Sequence, residues 1–411
     1  MVAINPFRAL RYDPAQAGQL GGVLSPPYDV ITPEEQERLY QASPHNVVRL
    51  ILGKESAQDS PADNRYTRAR RDFDTWRSEQ ILAQDPQPAI YVLEQRFQDG
   101  GQTHTRLGFI ALFQLDGEGG PPVYRHEATL LAPKADRTKL LEAIPANLEP
   151  IFCVYPDEGG AVQRVLEALT RATPPSGTAT LGSEAIRFWV VTDHDLVQQI
   201  KQRLAPVHVL IADGHHRFEV AYAHRSRYPA LMSYFVSMAD PALVVRPIHR
   251  VVEERGAAMV PALTSLCTLE PVADLDALLG WLQAQSAAGC FGFFDGQRYF
   301  RVTLTPSSLQ RWVQAPSVPA PLAGLDVSIL HGFLLPSAGL NGSGVRYTAD
   351  AHRALHEVTT GSAGSAWWLR GIPLRQVYEL ASKGLVLSPK STYFYPKVPS
   401  GIAINLLTGL Q

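Results

Sequence analysis

The residues best equipped for chemistry stand together at Asp213-Gly214-His215-His216-Arg217. A carboxylate, two imidazoles and a guanidinium meet there around a single glycine. The arginine offers a planar fork for phosphate or carboxylate, and the aspartate suits a cation or an acceptor hydroxyl. Gly214 lets the backbone approach a ligand closely. The chain before the motif, Val207 to Ala212, is apolar apart from His208, and Phe218, Ala221, Tyr222 and Arg225 follow at helical spacing. The pattern predicts a strand, a tight turn and a helix. A helix starting at such a turn aims N–H groups and its positive dipole end at whatever lies above the glycine, which suits an anion. The plain alternative is a hydrogen-bonded turn with surface histidines.

Other stretches carry polar residues that core packing does not explain. Tyr28 and Asp29 follow Ser25-Pro26-Pro27. Glu34 and Glu35, just beyond, have a structural task, because Thr32, Pro33 and Glu35 form a capping box that opens a helix over 33–41. His126-Glu127-Ala128-Thr129-Leu130 has leucine where a zinc protease needs its second histidine. Lys134, Asp136 and Arg137 sit in a charged loop before a helix predicted over 138–144, with exposed local ion pairs as the alternative. His249 and Arg250 lie on a strand predicted over 243–252, where Pro247 implies an edge or a bulge. Lys390, Ser391, Thr392 and Lys397 occupy an aromatic, proline-stiffened loop that could clamp phosphate, although no P-loop glycines precede it.

The elements that must position these residues alternate. A helix is predicted over 64–82, with its arginines interleaved with acids as a solvated face. Strands at 89–97 and 104–115 flank a hairpin at Asp99-Gly100-Gly101. A helix over 161–171, a loop over 173–183, a strand over 186–192 and a helix over 195–204 lead into the signature strand. Strand, helix, strand, glycine turn and helix read as an α/β unit with the anion site at the carboxyl end of its second strand. The fold class is α/β (α+β). The parts are an N-terminal α+β domain (1–120), a core with the signature (121–255), a small α+β module (256–314) and a C-terminal α/β part (315–411) that begins with a proline-rich linker. Asp326 reads as a helix N-cap.

Composition narrows the function classes. The chain has 411 residues, 37 basic and 39 acidic, and a net charge of −2. No basic run stands out, so no nucleic-acid partner is expected. Cys153, Cys267 and Cys290 are scattered, which argues against a zinc site or a disulfide framework and fits a reducing cytoplasm. No secretory h-region or bilayer-spanning apolar run is visible, so a cytoplasmic protein without a membrane partner is expected.

Asp-Gly-His-His-Arg resembles the signature of the ParB/sulfiredoxin fold, closest to its archaeal free-serine kinase branch. The cysteine that sulfiredoxins carry near His215 is absent, so sulfinic-acid reduction is not expected. From Pro26-Pro27-Tyr28-Asp29-Val30 to Pro389-Lys390-Ser391-Thr392 and Pro396-Lys397, the chain is similar to the bacterial and archaeal domain-of-unknown-function family numbered ten-fifteen. The resemblance implies a ParB/sulfiredoxin-like mixed core with additional α+β domains, and a nucleotide-dependent phosphotransferase. That enzyme would be a small-molecule kinase acting on the hydroxyl of a serine-like acceptor, with ATP or ADP and Mg²⁺.

In that reading Gly214, His215, His216 and Arg217 hold phosphate, and Lys390, Ser391, Thr392 and Lys397 close over it. Asp213 binds the metal or positions the acceptor, Glu127 acts as base, and His216 joins them in catalysis. Tyr28, Asp29, His126, Arg137, His249 and Arg250 face the substrate. The signature, the Glu127 loop and the Lys390 loop are expected to converge on one cleft. Two alternatives stand: a nucleotide-gated module of ParB type, whose helix-turn-helix and basic face are not visible, and a metal-dependent hydrolase using Asp213, His215 and His216.

Overall fold

The computed structural model describes residues 1–115, 121–129, 131–314, 319–340 and 344–407. Leu130 and residues 315–318 of the predicted linker lie outside them. The chain divides into two compact units. One comprises Met1–Tyr124, Thr129–Val244 and Pro396–Gln411, the other Arg125–Ala128 and Val245–Tyr395. These units cut across the boundaries drawn from composition.

The first unit is built on a nine-stranded mixed sheet. Its strands run, in order, Val123–Tyr124, Val209–Asp213, Ile151–Tyr155, Ala230–Ser237, Gln102–Gln114, Ile90–Asp99, Glu184–Val191 and Gly177–Leu181, with Ile4–Asn5 also pairing on Gln102–Gln114. Alternate residues give each strand two faces. One face is apolar: Phe109, Phe113, Tyr155, Trp189 and Phe235 pack against Val162, Leu166, Ile200 and Phe218 of the helices Ala161–Ala172, His194–Leu204 and His215–Ala223. Alternation therefore sends Gln95, Arg106, Phe152 and Tyr234 to the other face.

The signature strand pairs antiparallel with Ile151–Tyr155 and parallel with Val123–Tyr124. It does not neighbour Glu184–Val191 in the sheet. The predicted α/β crossover is thus absent, although each of its elements exists, because the chain crosses most of the sheet between the two strands.

Other differences have local causes. Residues 177–181 form an edge strand rather than loop: Thr178 and Thr180 alternate, and Gly182 at φ +60° turns the chain into Glu184–Val191. The helix before residue 144 spans Leu131–Ala143, since Pro133 falls in its first turn, where its missing N–H is not needed. Arg137 is therefore a buried helical residue, not a loop residue. The helix predicted over 64–82 is Arg65–Ser78, capped by Asn64, and Gln80 at φ +58° ends it. Thr32 does cap Pro33–Ala42, accepting from the Glu35 N–H at 3.2 Å.

The second unit holds a six-stranded antiparallel sheet in the order Cys267–Val272, Tyr299–Leu304, Cys290–Phe294, Ser365–Trp368, His249–Val252 and Val345–Thr348. Leu278 and Leu282 of one helix and Ala354 of another pack on it beside Trp368. Pro247 splits the strand predicted over 243–252 into Val244–Arg246 and His249–Val252. Asp326 is not an N-cap. It lies inside the helix Asp326–Ile329, pairs with Arg370 at 2.6 Å and accepts the Gly289 N–H at 2.8 Å. Among the described residues no helix is long and apolar enough to cross a membrane.

Candidate functional site

The signature strand is buried through Ala212 and ends at Asp213. Gly214 follows at φ +90° and caps the helix His215–Ala223 without a side chain of its own. A Cβ there would lie 2.9 Å from Ile151 Cγ2, so both conformation and space demand glycine. Asp213 holds two cations. Its Oδ2 accepts from Arg217 Nη2 at 2.8 Å, one helical turn on, and its Oδ1 accepts from Lys397 Nζ. Burial works to raise the Asp213 pKa, yet Lys397 and Arg217 together hold it below the usual carboxylate range, with His215 adding to the effect. Arg217 also donates to the Pro150 carbonyl at 2.5 Å. His215 is buried and His216 half-buried.

A second carboxylate lies beside Arg217. Glu149 is buried, and its Oε1 accepts from the Tyr28 N–H at 3.0 Å and the Ser400 hydroxyl at 3.2 Å. Arg137 approaches its Oε2 at 3.5 Å and stacks 3.8 Å above the Tyr28 ring. Burial pushes the Glu149 pKa up, and Arg217 and Arg137 only partly offset it. Asp29 is within electrostatic reach of Tyr28, Glu149 and Arg217. Tyr28, Asp29, Arg137, Asp213, Arg217 and Lys397 thus belong to one charged cluster. Glu149 and Ser400 complete it and were not singled out from sequence. Asn147-Leu148-Glu149-Pro150, an acid lodged between leucine and proline before a buried strand, was the available signal for Glu149.

The other predicted residues gather inside the second unit. His126 is buried, and its Nε2 meets Thr392 Oγ1 at 2.8 Å. Glu127 bridges to Leu387 and accepts the Lys390 N–H at 3.1 Å. Lys390 holds a left-handed φ of +59°, unusual for a residue with a side chain. Its carbonyl accepts from Arg250 Nη2 at 3.1 Å, while Arg250 Nε donates to His331 Nε2 at 2.7 Å. His249 Nδ1 accepts the Leu369 N–H at 3.4 Å. Ser391 is turned to the Ser388 carbonyl at 2.5 Å. The predicted residues therefore form two clusters, with Asp213 in one unit and Glu127 and Lys390 in the other.

A resident metal does not fit Asp213, because Lys397 and Arg217 take its two oxygens. Among the described residues no group of three or more His, Cys, Asp or Glu side chains could hold a metal ion. A cavity of about 60 Å³ borders Arg217, Glu149 and Arg137. That is room for a group of a few atoms, far below the size of a nucleotide pocket, so a nucleoside would have to lie outside it. What the cluster can do is receive an anion at a helix start flanked by a guanidinium and an ammonium, beside a carboxylate of raised proton affinity.

The family model described as protein of unknown function (DUF1015) matches residues 4–328. The chain belongs to the DUF1015 family. No curated protein matches the sequence. Among solved structures, a conserved hypothetical protein from Pyrococcus furiosus is 15% identical, with a TM-score of 0.37, over 73% of this chain and 97% of its own. A free serine kinase in complex with AMP is 15% identical, with a TM-score of 0.38, over 73% of this chain and 93% of its own. SbnI from Staphylococcus aureus, truncated at its C-terminus, is 10% identical, with a TM-score of 0.39, over 72% and 87%.

Proposed function

We propose that the protein is a nucleotide-dependent phosphotransferase, a small-molecule kinase acting on an acceptor hydroxyl. The observation that carries this reading is the Asp213 carboxylate shared by Lys397 and Arg217 at a helix start that only glycine can make. Phosphoryl transfer needs little covalent chemistry from the protein. It needs the phosphates positioned and their charge stabilised. The first turn of the signature helix supplies N–H groups and dipole. Arg217 supplies a fork, and its Nε is buried without a hydrogen-bond partner among the described residues. Lys397 supplies a point charge. Asp213 keeps both cations in place. Any magnesium would arrive with the nucleotide rather than wait on Asp213.

Glu149 takes the role of base in this reading. It is the buried carboxylate beside Arg217, and its raised proton affinity suits it to accept the proton of an acceptor hydroxyl. Glu127, engaged with the Lys390 backbone, acts on the geometry of its own loop. The test is calorimetric titration with ADP and ATP, paired with labelled-phosphate transfer to a panel of hydroxyl compounds. Arg217→Lys should weaken nucleotide binding about tenfold, since a point charge replaces a fork. Absence of binding at millimolar nucleotide, or unchanged affinity in the Arg217 variant, would overturn the reading.

A further inference from the structure

Arg106 stands on the strand Gln102–Gln114, in register with Gln95, and none of its surface is exposed. Its Nη2 donates to Gln95 Oε1 at 2.5 Å. Its Nε and Nη1 are buried without a hydrogen-bond partner among the described residues. Nη2 carries two hydrogens and Gln95 takes one. The Tyr234 hydroxyl is also within hydrogen-bonding reach of the guanidinium, so the donors left open to a ligand are those of Nε and Nη1. The rings of Phe152 and Tyr234 lie 4.8 and 5.7 Å from the guanidinium carbon. Such rings can hold the plane of the cation while its edges stay available for hydrogen bonds. Gly108 makes room for this packing, since a Cβ there would come within 2.7 Å of the Tyr234 ring.

The carboxylates near Arg106 are engaged elsewhere. Asp240 accepts the N–H groups of Leu107 at 2.9 Å and Ala242 at 2.8 Å. Glu94 takes two hydrogen bonds from Arg187, at 2.7 and 2.8 Å. Arginines that serve as props in this chain look different. Arg370 spends its three nitrogens on Asp326 and on the carbonyls of Gln285 and Ala287, and Arg250 spends its three on His331, Ile248 and Lys390. Arg106 has Asp240 within electrostatic reach, yet two of its nitrogens make no hydrogen bond among the described residues, which is costly for a buried charge.

Arg106 also adjoins the signature cluster. Gln95, fixed on one side by Arg106, donates through Nε2 to the Lys397 carbonyl at 3.0 Å, and Lys397 Nζ is on Asp213. Phe152, under the guanidinium, is the register partner of Asp213.

We propose that Arg106 receives the carboxylate of the acceptor, so that the acceptor is a small organic acid carrying a hydroxyl. The word acceptor rests on the phosphotransferase reading, whereas the carboxylate site does not. A monoanion is favoured over phosphate because few donors are open and Glu94 and Asp240 lie near enough to repel a second negative charge. The enclosure of Arg106 means the acid is taken up by an opening of its surroundings and then held dry.

The experiment titrates the full chain, without nucleotide, with short hydroxy acids (glycerate, lactate, serine), with uncharged counterparts (glycerol, serinamide) and with inorganic phosphate. At least one acid should bind, and its uncharged counterpart should bind about tenfold weaker or worse. Arg106→Met should abolish that preference and melt no lower than wild type, since a buried cation with two nitrogens left without hydrogen bonds is gone. Arg106→Lys, which keeps the charge and loses the fork, should weaken acid binding while retaining some of it. Failure of every acid to bind, preference for inorganic phosphate, or an Arg106→Met variant that melts several degrees lower would overturn the inference. ADP binding without acid binding sinks this inference alone. Acid binding through Arg106 without any phosphoryl transfer sinks the kinase reading and leaves the site.

Discussion

Replacing Asp213 by asparagine tests the centre of the cluster. The change keeps size and local turn chemistry. From sequence alone it should cost little stability, because the side chain was expected to point into an open site. The structure reverses that expectation. Asp213 has 13% of its side chain exposed, and the two cations it holds have 11% and 10%. Asparagine would leave both charges buried on a neutral partner, and breaking a buried pair by removing one member costs about 3–5 kcal/mol. For a unit of this size that is a fall in melting temperature of roughly 10 °C.

The pH dependence gives a second handle. A carboxylate held below its unfolded pKa contributes stability that is present above the unfolded value and lost as pH falls through the folded one. The gap between wild type and Asp213→Asn should therefore be full at neutral pH and close below the ordinary carboxylate range. ADP should stabilise the variant more than wild type, because its phosphates would meet two cations no longer neutralised. Melting curves across pH, with and without ADP, supply the readout. A variant melting within about 1 °C of wild type at neutral pH would show that the two cations do not depend on Asp213, and the reasoning would fail.

Glu149→Gln should behave differently. Its raised pKa means ionisation costs stability as pH rises through the unfolded value toward the folded one, so the neutral glutamine should match wild type at low pH, where both side chains are neutral, and gain on it toward pH 7, while transfer is lost. Gly214→Ala should lower stability by at least about 1–2 kcal/mol, since alanine must adopt φ +90° against Ile151, and urea titration would measure it. His249 and His331 are held neutral by burial and by Arg250, each down to about 4. A base with a depressed folded pKa destabilises the fold as the unfolded chain protonates, so the second unit should weaken as pH falls from about 6.5 to 4, by up to about 3 kcal/mol for each group if they acted independently. Hydrogen exchange across the strand His249–Val252 would follow this loss.

The signature was legible because its logic is local. An apolar run, a glycine and a helical repeat predict a strand, a left-handed turn and a helix, and each is present. Thr32 was legible as a cap for the same reason. Glu149 and Arg106 were not, because their meaning comes from distant partners. Nothing near Glu149 in sequence announces Arg217, and nothing near Arg106 announces Phe152 and Tyr234, which sheet register puts beneath it. Lys390 and Lys397 read as one phosphate clamp, yet the chain assigns them to different units within seven residues. Arg137 was expected in a loop before a helix over 138–144, whereas the helix already begins at Leu131, with Pro133 in its first turn.

The Asp213–Lys397 pair joins residues 184 positions apart. During synthesis the turn at Asp213 leaves the ribosome long before its lysine exists. The whole second sheet is made in the interval. Until residues 396–407 emerge, the first unit lacks both the lysine and Ser400, the hydroxyl that meets Glu149. Contacts this remote form late, after the entropy of closing a long loop has been overcome. The candidate centre is thus completed only after the second sheet has been made, and a nascent chain stalled in that sheet carries the signature motif but not its charge partner. Pulse-labelled ribosome-bound chains of increasing length, probed by limited proteolysis, should show the first unit become resistant in a single late step.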